Sequence, residues 1–248
     1  MKLRVLGSGS SGNCYLLENQ NECLIIEAGI NVKQLKIALN FDLQKVVGCI
    51  ITHEHGDHAK QVQKVQSLGI NCFMSKGTAS KTDTTTIHNA RTHIVQHGQS
   101  FQLGRFLIKP FDIRHDAVEP FGFLIYHPDC GKVLFITDSK YSDYRFNGLN
   151  NIIIEANYSN EIINEKYTSK NNLLFLKNRI LDSHLSIENC VDLLKSNDLS
   201  HVNNIILIHL SDNNSNEVDF VKQIEDLTAK TVLSASRGME IPFGKSPF

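Results

Sequence analysis

The segment Thr52-His53-Glu54-His55-Gly56-Asp57-His58 constrains this chain more than any other feature. It crowds three imidazoles and the Asp57 carboxylate into six residues, directly behind the apolar run Val46 to Ile51. Such a run predicts a buried strand, and a strand that opens into a ligand-rich loop holds the first loop residues rigidly. Imidazole nitrogen combined with carboxylate oxygen is the donor set that suits zinc and related divalent ions. A polar surface loop is the alternative, but eleven histidines spread over 248 residues do not produce this spacing by composition alone.

The pattern around that segment predicts how the chain is organised. Short β-type runs lie at Leu3 to Leu6, Cys14 to Glu18, Cys23 to Glu27 and Val46 to Thr52, separated by Gly, Asn and Ser turns. Helical spacing follows at Val32 to Leu39 and at His58 to Leu68. Further strands are expected at Phe106 to Ile113, Phe121 to Tyr126, Val133 to Thr137, Ile152 to Ala156, Ile205 to Leu210 and Thr231 to Ser234. Between them, Asn160 to Leu181 reads as a helix that Ser169-Lys170-Asn171-Asn172 can divide. Ile187 to Leu194 reads as another, with Ser186 as N-cap and Glu188 in its first turn. No linker-like stretch interrupts residues 1–248. One α/β domain, two sheets sandwiched between helix layers in a four-layer αββα arrangement, is the expected architecture.

Composition narrows the partners. A net charge of −1 gives no global attraction to phosphate, so a nucleic-acid partner must be held by a local groove of Lys and Arg. Lys60, Lys64, Arg114, Lys140, Arg145 and Arg237 lie near the motifs, although a solvated charged face is the commoner reason for such residues. Six cysteines stand singly, without a CxxC pair, and read as reduced thiols. No apolar stretch is long enough to span a bilayer, and the N-terminus reaches a turn too soon for a signal peptide. A cytoplasmic location without a membrane partner is the expectation.

HxHxDH after a hydrophobic strand resembles the signature of the metallo-β-lactamase superfamily, and candidates for that family's later ligands occur here in order: His115, Asp138 and His209. The resemblance implies two divalent metal ions, zinc or manganese. One would be held by His53, His55 and His115, the second by Asp57, His58 and His209, with Asp138 bridging and Asp57 counted among the catalytic residues. His88, His93, His97, His127 and His201 fall in polar or strand-edge contexts and are read as structural or solvated.

Leu6-Gly7-Ser8-Gly9-Ser10-Ser11-Gly12-Asn13-Cys14-Tyr15 is similar to the opening of the YycJ/WalJ group of small bacterial exonucleases within that superfamily. The segment from His115 to Phe123 and the element His184-Leu185-Ser186 fit the same group, and more distantly ribonuclease Z, whose long exosite arm is not apparent. Glycines at this opening let backbone amides approach an anion, and Ser10, Ser11 and Asn13 add short donors, so these three are candidate substrate contacts. The resemblance favours His184 as a general acid for a leaving alkoxide, against a structural place at a helix entry. Three positions depart from the group's pattern: Glu27 stands in place of Asp, Ser183 of Gly and Ile187 of Asn. The implied activity is hydrolysis of a phosphodiester, with DNA first and a cyclic nucleotide second. A non-catalytic module that binds nucleotides or DNA ends is the reading from another class, and a second copy of the chain is admitted as a homodimer partner.

Overall fold

The structure, a computed structural model, describes residues 1–82, 89–167 and 174–246. His88 and the helix break expected at 169–172 lie outside them. The first sheet takes β1 (Lys2–Gly7), β2 (Cys14–Glu18), β3 (Cys23–Ile26), β4 (Val46–Ile50), β5 (Cys72–Met74) and β6 (Thr92–Ile94). The second takes β7 (Phe101–Leu103), β8 (Phe106–Asp112), β9 (Phe121–His127), β10 (Gly131–Ile136), β11 (Leu149–Glu155), β12 (Asn204–Ile208) and β13 (Thr231–Ser234), and β14 (Glu240–Pro242) returns to pair with β1. The two sheets have seven strands each, in the orders β14-β1-β2-β3-β4-β5-β6 and β13-β12-β11-β10-β9-β8-β7. Each is antiparallel on one side and parallel on the other, the parallel pairs being β3 to β6 and β10 to β13.

Burial explains the layers. Leu3, Val5, Leu17, Leu24, Ile50, Phe123, Phe135 and Ile206 belong to the core between the sheets. On the outer face of the first sheet Val32 and Leu35 of α1 (Val32–Ala38) join Val62 and Val65 in a second cluster. On the outer face of the second, Ile187 and Leu194 of α7 (Ile187–Lys195) and Phe220 and Ile224 of α8 (Glu217–Thr228) form a third. Helices, sheet, sheet and helices are thus stacked in four layers. Ser186 caps α7 by accepting from the Asn189 amide at 3.1 Å, and Glu188 sits in its first turn.

Several expectations need correction in detail. The helix expected over His58 to Leu68 is two, α2 (Gly56–Ala59) and α3 (Val62–Ser67), because Gln61 leaves helical geometry and gives its amide to the Ala28 carbonyl at 3.0 Å. Helix α4 (Lys76–Lys81) and the short strands β5, β6, β7 and β14, three residues each, carry too few turns of pattern to be read. Described parts of the stretch from Asn160 are α5 (Asn160–Tyr167) and α6 (Leu174–Ser183). The strands expected to end at Glu27, Thr137 and Leu210 end earlier. Glu27, Asp138 and His209 follow them with positive φ of 70°, 35° and 55°, a backbone conformation that non-glycine residues rarely hold.

Candidate metal centre

Four strand ends deliver the cluster. His53, His55, Asp57 and His58 follow β4, His115 follows β8, Asp138 follows β10 and His209 follows β12, so loops at the carboxyl ends of strands from both sheets meet at one rim. All seven residues expected as ligands come together there. His53, His55, His115 and Asp138 form one set of convergent donor atoms, Asp57, His58, Asp138 and His209 a second, and Asp138, Glu155, His184 and His209 a third, so that Asp138 belongs to all three. Its Oδ2 lies 3.8 Å from His53 Nε2, 3.4 Å from His58 Nε2 and 3.7 Å from His115 Nε2. His115 Nε2 and His55 Nδ1 approach to 3.0 Å, and Asp57 Oδ2 lies 3.2 Å from Nε2 of both His58 and His209.

Outer partners turn the rings of His53, His115 and His209 toward the centre. Nδ1 of His53 meets Thr52 Oγ1 at 2.9 Å, and Nδ1 of His115 meets the Ser183 carbonyl at 2.7 Å. His209 turns Nδ1 to Glu155 Oε1 at 3.2 Å, which leaves Nε2 for the centre. Glu27 accepts from the Thr52 amide at 3.3 Å, while its other carboxylate oxygen lies 3.6 Å from His58 Nδ1, beyond hydrogen-bond reach. Partners within that reach fix ring orientation and raise ligand basicity.

The donor set fits a divalent ion. His53 Nε2 is buried and has no hydrogen-bond partner, the condition of a lone pair aimed at something other than a protein donor. Burial, and then the neighbouring His58, push the His53 imidazole well below its ordinary range. Burial opposes charge on His209 as well, yet Asp138 and Asp57 outweigh it and lift its pKa to about 10. Asp138 itself is held well below the usual carboxylate range, burial notwithstanding, by His209 and His58. Imidazoles crowded around carboxylates that demand positive charge are the electrostatics of a cation site.

His184 stands against this cluster. Its Nδ1 lies 2.7 Å from Glu155 Oε1 and 3.9 Å from Asp138 Oδ2, and its ring stacks on His209 with centroids 5.4 Å apart. Burial disfavours charge there, but Glu155 overcomes it and raises the His184 pKa. Glu155 was not anticipated from sequence. It ends β11, is fully buried, and also accepts from the amides of Ser139 at 3.0 Å and Leu185 at 2.9 Å.

A cleft of about 310 Å³ opens beside the centre, lined in part by Ser10, Ser11, His184 and His209. Asn13, expected next to these serines as a substrate contact, is instead buried and does not line the cleft. Its carboxamide accepts from the Gly9 amide at 2.7 Å and donates to Asp57 Oδ2 at 3.2 Å, and these bonds consume the group that substrate would need. Ser183 is buried and contributes its carbonyl, while Ile187 packs in the core. None of His93, His97, His127 and His201 joins the cluster; His127, for one, is buried against Glu22 at 2.9 Å. All six cysteines are free and buried. Among the described residues no helix is long and apolar enough to cross a membrane.

A family model described as a beta-lactamase superfamily domain matches residues 24–210. Exodeoxyribonuclease WalJ of Streptococcus pneumoniae serotype 2 is 29% identical over 258 residues, covering 98% of this chain and 92% of that protein. Exodeoxyribonuclease YycJ of Bacillus anthracis is 27% identical over 228 residues, covering 86% of this chain and 84% of the relative. Among solved structures, the metallo-beta-lactamase fold protein YhfI from Bacillus subtilis aligns with a TM-score of 0.74 at 16% identity over 97% of this chain and 98% of its own. Human tRNase Z, short form, aligns with a TM-score of 0.67 at 16% identity over 98% of this chain and 99% of its own. At these identities the structural likenesses speak to the fold.

Proposed function

The chain belongs to the beta-lactamase superfamily, and from that premise we propose that it is a metal-dependent phosphodiesterase acting as a nuclease, with DNA shortened from an end as its reaction. The observation that carries this reading is the shared use of Asp138, whose carboxylate joins the donors of His53, His55 and His115 as well as those of Asp57, His58 and His209. His53, His55 and His115 would hold one ion, Asp57, His58 and His209 a second, zinc or manganese. Ions held there supply Lewis-acid polarisation of the phosphoryl oxygens and activation of the attacking water near neutral pH. The residues of the chain do the rest. Glu155 fixes Nδ1 of His184 at 2.7 Å, which leaves Nε2 to hold a proton for the departing oxygen. A phosphodiester needs that proton because an unprotonated alkoxide leaves poorly. Ser10 and Ser11 line the adjoining cleft as short donors toward the bound substrate.

A cyclic mononucleotide is the second reading. The cleft beside the centre is lined by no Lys or Arg among the described residues, and the chain carries a net charge of only −1. A panel of linear DNA, RNA, cyclic mononucleotides and an aryl phosphodiester, each assayed with added zinc or manganese, separates the two. Progressive shortening of linear DNA is the expected result. Rapid turnover of cyclic mononucleotides beside inert DNA would overturn the nuclease reading.

A further inference from the structure

Away from the metal centre a second cleft, of about 330 Å³, lies where Lys109, Phe111 and Lys132 of the second sheet meet the loop that carries Tyr144, Arg145 and Phe146. Its floor is aromatic. Phe111 and Phe146 are buried, whereas Tyr144 stands at the rim, 36% exposed, with its ring centroid 5.6 Å from that of Phe111. The charged side chains that line it are all cationic. Lys109 and Arg145 are exposed and form no ion pair among the described residues, and Lys132 Nζ donates only to the Asn147 carbonyl at 2.9 Å. Of the nearby acids, Asp143 pairs with Arg114 at 3.0 Å, whereas Asp112 gives its backbone amide to His97 Nδ1 at 3.1 Å and turns an exposed carboxylate outward.

This cleft also lies close to the centre along the chain. Phe111 stands four residues before His115, so a fully extended chain separates their Cα atoms by about 14 Å at most. On the way Arg114 lies over the Tyr141 ring at 4.6 Å. We infer that the cleft is a second contact for single-stranded nucleic acid, in which one base stacks on Tyr144 while flanking phosphates meet Lys109 and Arg145. Exposed aromatic faces next to unpaired cations are how proteins grip single strands without reading sequence. A base inside a duplex has both faces covered, which restricts this contact to a single strand. The inference rests on the nuclease reading of the metal centre and adds to it a grip on the strand a few nucleotides from the cut.

The test is fluorescence anisotropy of the full chain, loaded with metal, against phosphorothioate-linked oligodeoxythymidines of about two to about twelve nucleotides, a span set by typical single-strand site sizes. Affinity should rise once the strand is long enough to reach the cleft. Tyr144→Ala should weaken the long oligomer roughly tenfold and leave the dinucleotide unchanged, while Tyr144→Phe retains the gain. Arg145→Ala, at an exposed position that the fold does not depend on, should lower the slope of log affinity against log salt by about 0.7. The inference is overturned if both alanine variants bind the long oligomer as wild type does, if short and long oligomers weaken equally, or if an abasic oligomer binds as tightly as the thymidine one. Cleavage is read separately on unmodified DNA. Absence of turnover at every length would overturn the nuclease reading, whereas the anisotropy still decides the cleft.

Discussion

Asp138 and His184 approach within 3.9 Å of each other, yet removing them should have different consequences. Because Asp138 belongs to both proposed ion sites, Asp138→Ala should reduce bound metal below the proposed two ions per chain and abolish turnover together with it. Elemental analysis checks this; a variant that keeps both ions would show that Asp138 is not shared. His184→Ala should keep the metal and lower turnover of a natural phosphodiester by roughly a hundredfold or more, the scale of a lost proton donor. A nitrophenyl ester, whose leaving group needs little protonation, should suffer far less. Equal losses on the two substrates would assign His184 to binding instead. At this scale the sequence was informative where chemistry is local. HxHxDH announces itself, and His115, Asp138 and His209 each stand next to a strand-like run. Glu155 was hidden because a glutamate ending an apolar strand looks like any strand terminus. Its partners His184 and His209 lie 29 and 54 residues away in sequence. The positive φ at Glu27, Asp138 and His209 was equally invisible, since tertiary contacts rather than residue type impose it.

Among the elements, the junction between β3 and α1 shows why a glycine is needed where no turn type requires one. A Cβ on Gly29 would overlap the Asp57 carbonyl oxygen and crowd the Asn13 amide nitrogen, so the backbones of three segments touch there. Gly29→Ala should push the Asp57 loop outward and weaken metal affinity by about ten- to a hundredfold, as loss of an outer-shell support does. A metal titration showing wild-type affinity would refute this. A different join holds β1 to β2. Glu18 is buried under Arg4 at 3.1 Å and Lys45 at 2.7 Å. Burial opposes its ionisation, but the two cations outweigh burial and hold the carboxyl below its usual range. Its contribution is therefore fully present above the carboxylate range of the unfolded chain and is lost as pH falls through the lower folded value. In thermal unfolding followed from neutral to acid pH, Glu18→Gln should flatten the acid-side decline; an unchanged slope would exclude Glu18 as a source of it. Long periodic elements were legible from sequence, whereas β5, β6, β7 and β14 were not. Strands of three residues offer one alternation at most, and sheet pairing alone keeps them.

Across the whole molecule the layered plan was readable because each sheet repeats the same logic, apolar runs punctuated by turns and then flanked by amphipathic helices. How the two sheets share one rim could not be read, since no local pattern says which strand ends will face each other. That sharing has a mechanical consequence. His53, His55, Asp57 and His58 belong to one sheet's loops, and His115, Asp138 and His209 to the other's. Ions held by these residues would act as rivets driven through two plates along a single edge. At a hundredfold excess over its Kd, one such ion adds about 2.7 kcal/mol to folding stability. Chelation should lower the thermal midpoint, and amide exchange should quicken first at the ends of β4, β10 and β12 nearest the rivets. The far edge, where β14 is laced to β1 by the register Lys2 to Pro242, should stay closed. Exchange that quickened evenly over both plates would mean that they are held by their shared face alone.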